Sequence, residues 1–116
     1  MQCIINNNKQ SLLKMNRYQL AKEIAEDLKT KFGDKVSSIV LFGSVAKGED
    51  KEESDIDLLI VSKEHLSRAL DDSIGKILRN GFVPEILNLT DVEFTQMKNI
   101  GSPFYFSIKN EGIKLC

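Results

Sequence analysis

A small α/β domain, with one sheet and helices packed on it, is the fold class that the sequence predicts. Two patterns carry that expectation. Apolar residues recur at helical spacing in Leu20, Ile24, Leu28 and Phe32, and again in Leu66, Leu70, Ile74 and Ile77. Between and after these stretches, short runs rich in Val, Ile and Leu read as strands, at 36–42, 55–61 and 82–89. At 116 residues the chain has room for one core. A domain of this size buries roughly two-thirds of its unfolded surface, so it needs neither a disulfide nor a structural metal.

Each element follows from local chemistry. Tyr18 to Phe32 carries one apolar stripe, with Ala21 and Ala25 beside it, and Gly33 stops the helix. Val36 to Phe42 is a strand closed by Gly43, and a short helical turn follows at Ser44 to Ala46. Lys47 to Ser54 is a charged, solvated loop, and Asp55 to Val61 a second strand. The spacing predicts a second long helix over Lys63 to Asn80, closed by Gly81. Phe82 to Leu89 is a third strand, which Pro84 confines to an edge or an irregular start. Thr90 and Glu93 form a capping box for a short helix, and Ile113 to Cys116 a last short strand. Residues 1–14, with the polar tract Asn6 to Ser11, read as a flexible leader. Met15 reads as an alternative start, and 15–116 as the single domain.

Composition narrows the function classes. The formal net charge is −1 and the basic residues are scattered among acidic ones. Tight binding of long nucleic acid needs a basic stripe that releases counterions, so nucleic acid is not the expected partner. No apolar run is long enough to span a bilayer, and no compact apolar signal precedes the domain. The expected location is the cytoplasm, with Cys3 and Cys116 as reduced thiols.

Chemistry concentrates in two strand ends. Asp55 and Asp57 point to the same face of a strand, with alpha carbons about 6.6 Å apart. Two carboxylates at that separation repel by about 2–3 kcal/mol at an effective dielectric near 20. Leu58 to Val61 is apolar on both faces, which marks a buried central strand. A paired acid at its mouth calls for water or a cation, and magnesium takes carboxylate oxygens together with substrate phosphates. Gly43 permits a tight turn with close backbone approach, and Ser44 adds a hydroxyl beside amides that can face an anion. If the two strands are neighbours, an anion-holding turn and a metal-binding acid pair converge, as phosphoryl transfer requires.

The segment LFGSVAKGEDKEESDIDLLIV resembles the signature of the polymerase beta-type nucleotidyltransferase superfamily, in particular its minimal nucleotidyltransferase (MNT) group. The tail SPFYFSIKNEGIKLC resembles the way small members finish. The likeness covers most of 15–116, its specific part being Gly43 to Val61. It implies a mixed sheet flanked by helices, Mg2+ held by Asp55 and Asp57, and a nucleoside triphosphate held by Gly43, Ser44 and nearby amides. Two positions depart from the pattern. Lys47 stands where the family often carries arginine, and meets a phosphate only as a point charge. The third carboxylate of catalytically complete members has one candidate within the third strand, Glu85, as metal ligand or as base for the acceptor hydroxyl.

Other residues carry less. His65 stands without a second His or Cys beside it and reads as a surface histidine. Phe104, Tyr105 and Phe106 read as core or interface packing. The leading expectation is a Mg2+-dependent nucleotidyltransferase that moves AMP from ATP onto a hydroxyl acceptor. The resemblance implies a small helical HEPN-type protein as that acceptor, in a toxin–antitoxin pair of which this chain would be the antitoxin. Homo-oligomerisation is left open. The alternative is a binding module that retains the fold with weak or lost catalysis, and the orientation of Glu85 separates the two.

Overall fold

The protein is described by a computed structural model covering residues 16–49 and 55–116. The leader expected over residues 1–14, Met15 and the loop residues 50–54 lie outside the described residues, as does Cys3. Helix α1 spans Arg17–Phe32, its start set by a capping box that the sequence reading had not identified. The Gln19 amide donates to Asn16 Oδ1 at 2.8 Å, and the Asn16 amide donates to Gln19 Oε1 at 3.3 Å. Gly33, at φ 55°, ends it. The predicted stripe is the buried one: Leu20, Ala21, Ile24, Ala25 and Leu28.

Four strands form one mixed sheet: β1 (Val36–Phe42), β2 (Ile56–Ser62), β3 (Pro84–Thr90) and β4 (Ile113–Lys114), in the order β3-β2-β1-β4. β2 runs antiparallel to β1 and parallel to β3, and β4 is antiparallel to β1. β2 is an inner strand, as its apolar run predicts. Ile56, Leu58 and Ile60 face α1 and helix α3 (Asp71–Arg79), while Leu59 and Val61 face the other side. That other side is covered by α4 (Asp91–Asn99) and α5 (Pro103–Glu111), through Phe94, Phe104 and Ile108. Pro84 takes the first position of the edge strand, where its missing amide costs no ladder bond. No helix of the described residues is long and apolar enough to cross a membrane.

Three expectations change. The helix predicted over Lys63 to Asn80 begins only at Asp71, after a 3-10 turn at Ser67–Leu70. Its first turns are diverted by a polar network: the Leu66 amide donates to Asn88 Oδ1 at 2.7 Å, and Ser62 Oγ donates to the Glu64 carbonyl at 2.6 Å. The tail contains a full helix, α5, with Pro103 at its first turn and the Phe42–Phe104 edge contact holding it to the sheet. Its apolar positions are too mixed with exposed ones to show a clear period. Finally, the buried Cys116 is disulfide-bonded rather than a reduced thiol.

The crossing from α5 into β4 has no spare volume. A Cβ on Gly112 would stand 2.6 Å from both the Ile108 carbonyl oxygen and Val40 Cγ1. Gly112→Ala is expected to cost about 1–3 kcal/mol through overpacking. Urea unfolding checks this, with a lowered midpoint at unchanged slope; an unchanged midpoint would refute the packing argument.

Candidate active site

The site forms where β1 ends and β2 and β3 begin. The register places Phe42 opposite Asp57 on one side and Glu85 opposite Asp57 on the other. Asp55, just before β2, and Asp57 share a face by strand alternation. One carboxylate oxygen from each of Asp55, Asp57 and Glu85 lies within 4.8 Å of the other two. Asp55 and Asp57 are half-buried and Glu85 is exposed. Glu85 thus turns toward the aspartates, the orientation that separates the two functional expectations.

Gly43 closes the cluster from the β1 side. It opens the single-turn helix α2 (Gly43–Ala46) at φ 73°, and a Cβ there would overlap Asp57 Oδ2. Glycine is required twice over, by the backbone angle and by the carboxylate pressed against its Cα. Ser44 is the next residue of the same turn, so turn and acids adjoin. Lys47 lies one turn on, its amide donating to the Gly43 carbonyl at 3.3 Å. Its ammonium is ion-paired with Glu111 at 3.1 Å. The Glu111 hydrogen bond and charge raise the Lys47 pKa. Glu111 was absent from the sequence-derived site; its only signal was the Glu-Gly-Ile pattern of the tail.

Electrostatics at the cluster favour a bound positive charge. Burial first, then hydrogen bonding with Glu85 and the negative charges of Glu85 and Asp55, push the Asp57 carboxyl from 3.8 up to about 7. Asp57 Oδ1 is buried without a hydrogen-bond partner among the described residues. An orphaned carboxylate oxygen beside two further carboxylates is a hard-oxygen donor set of the kind that holds a divalent cation. The three acids therefore fit magnesium.

The remaining candidates take structural places. His65 Nε2 lies 2.7 Å from Glu93 Oε1, which also accepts the Thr90 amide at 2.8 Å in the α4 capping box. Tyr105 is buried against Phe94, and the partly buried Phe104 meets Phe42 edge-on, so two of the three tail aromatics pack inward. Phe106 stays exposed.

Comparison with known proteins agrees with this geometry. A family model described as a nucleotidyltransferase domain matches residues 21–115. "Putative protein adenylyltransferase MJ0604" of Methanocaldococcus jannaschii is 35% identical over 98 residues, covering 84% of this chain and 96% of that protein. A toxin–antitoxin structure containing AMP-PNP has a TM-score of 0.57 at 18% identity, over 82% of this chain and 72% of the other. The tri-AMPylated Shewanella oneidensis HEPN toxin in complex with MNT antitoxin gives 0.54 at 16% identity, over 87% and 72%. At these identities the two structures bear on the fold alone.

Two outcomes follow from the crowding at Asp57. Gly43→Ala is expected to displace the Asp57 carboxylate and weaken Mn2+ binding at least tenfold, read by titration calorimetry; unchanged affinity would refute the close approach. Without divalent cations, folded Asp57 keeps its proton to about pH 7, whereas the unfolded group releases it near 3.8. This group's contribution to stability therefore falls as pH rises between those values and is flat above. Asp57→Asn removes that loss, so in EDTA at pH 8 the variant should melt higher than wild type. After discounting for solvent screening the gain is about 1 kcal/mol, or roughly 4–8 °C. The difference should vanish near pH 4, and a gap independent of pH would contradict the assignment.

Proposed function

The chain belongs to the nucleotidyltransferase domain family, and from that premise we propose that it transfers AMP from ATP to a hydroxyl group on a partner protein, using Mg2+. The observation that carries this reading is the convergence of Asp55, Asp57 and Glu85 within 4.8 Å, with Gly43 against Asp57. Asp55, Asp57 and Glu85 are the residues that would hold magnesium. When bound, it neutralises charge on the triphosphate and its leaving group.

This chain's own residues supply the rest. The Gly43–Ser44 turn offers backbone amides and a hydroxyl to the triphosphate, and Lys47 adds a mobile positive charge. Glu85 is the exposed member of the triad, and takes the hydroxyl proton of the acceptor. The acceptor oxygen bonds to the α-phosphorus, the bond from that phosphorus to the bridging oxygen breaks, and pyrophosphate leaves. A small helical HEPN-type protein, with this chain as antitoxin in the cytoplasm, is the partner we propose. The printed descriptions of the toxin–antitoxin neighbours support it. The binding-module alternative would gain ground with Glu85 pointing away from the aspartates; its carboxylate within 4.8 Å of theirs supports the transferase reading instead.

The test is label transfer from α-labelled ATP and Mg2+ to protein in lysate or to a co-expressed neighbouring helical protein. Wild type is expected to label a band, and Asp57→Asn to lose at least a hundredfold in rate. Equal labelling by both would overturn the role of Asp57. Glu85→Gln should fall by a similar factor while retaining nucleotide binding; full activity would overturn the role of Glu85, and no label transfer by wild type would put the binding module first.

A further inference from the structure

The cation nearest in sequence to the phosphate turn is already engaged. Lys47 Nζ lies 3.1 Å from Glu111 Oε2, with side chains 42% and 48% exposed. The two ends of this pair are held differently. Glu111 is the last residue of α5, followed by Gly112, which fits against Val40 and the Ile108 carbonyl with no room for a side chain. The chain then joins the sheet, Ile113 opposite Leu41 and Lys114 opposite Val40. The Glu111 carboxylate therefore extends from a fixed point. It also sits at a helix C-terminus, where the helix dipole adds partial negative charge and a cation is favoured.

Lys47 is the follower. It leaves α2 in an exposed stretch, Lys47 to Glu49, one helical turn or about 6 Å from Gly43. Its four-carbon stem lets the ammonium swing between Glu111 and a triphosphate lying along the Gly43–Ser44 turn. One cation thus stands between two anionic claimants. An exposed ion pair contributes at most about 1 kcal/mol, so exchanging one partner for the other costs little.

We infer that Glu111 is a positioning residue that sets nucleotide affinity: it holds the Lys47 ammonium in the nucleotide-free protein and yields it to the triphosphate on binding. This rests on the proposed function, because it takes the Gly43–Ser44 turn as the phosphate site. Removing the Glu111 charge frees Lys47 and takes a negative charge away from an anion site, so both effects tighten nucleotide binding. A purely structural brace would do the reverse, since loss of Glu111 would loosen Lys47 and weaken binding.

The experiment is calorimetric titration of the full chain with MgATP, for wild type, Glu111→Gln, Lys47→Gln, the double variant and the charge exchange Lys47→Glu/Glu111→Lys. Thermal melting of each reports folding. Glu111→Gln is expected to lower Kd about three- to tenfold, and Lys47→Gln to raise it by a similar factor. On the Lys47→Gln background, the effect of Glu111→Gln should shrink to what loss of its negative charge alone gives. The charge exchange should restore wild-type Tm without restoring affinity. Unchanged or weaker binding by Glu111→Gln, in a variant that melts like wild type, overturns the inference and leaves the proposed function standing. Recovery of affinity in the charge exchange also overturns it, because a brace alone would behave that way. No MgATP binding by the wild type would overturn the proposed function and the inference together.

Discussion

Folding this chain brings three negative charges to one end of an inner strand, where mutual repulsion and partial loss of water both oppose the folded state. Asp57 bears most of that opposition: it is half-buried, has an oxygen without a hydrogen-bond partner among the described residues, and has Asp55 and Glu85 as neighbours. The surrounding structure is arranged to hold these groups together. β2 lies between β1 and β3, its two faces locked into separate apolar clusters, so its register cannot slip without exposing Leu58 to Val61. Register with β3 then places Glu85 beside Asp57, and register with β1 places the start of α2 there.

Strain of this kind fits a site better than it fits a scaffold. A core seeking only stability would fill the strand mouth with apolar residues and leave no buried oxygen unsatisfied. Here Gly43 gives up its side chain to let the Asp57 carboxylate approach the backbone, at a positive φ that other residues adopt only with strain. The opposite face of the sheet, where α1 and α3 pack, is conventional by comparison: Leu20, Ile24, Ile39, Ile60 and Ile77 are fully buried. Both faces of the sheet carry apolar clusters, and the acids gather at the strand ends.

Elements whose pattern is local were legible in advance. The stripe of α1, the run of β2 and the Thr90–Glu93 cap of α4 each depend on residues within a turn or two of one another. Where distant residues intervene, the reading failed. Apolar spacing alone would have carried a helix back to Lys63, but Asn88 of β3 captures the Leu66 amide and holds that stretch out of it. Helix α5 has little local signal because it is held by contacts such as Phe104 with Phe42 of β1, far away in the sequence.

The site divides in the same way. Strand alternation is a property of the chain, so the sequence alone determined that Asp55 and Asp57 share a face beside an apolar run, with ten residues between them and a Gly43–Ser44 turn. Whether Glu85 joined them was beyond it, because that depends on which strand lies beside β2, in which direction and in what register. Tertiary structure decided this with a parallel β3 pairing Glu85 to Asp57. It likewise decided the partner of Lys47, since Glu111 reaches it only after α5 has crossed the sheet. Periodicity reports which face a residue takes; only packing among distant segments determines what that face meets.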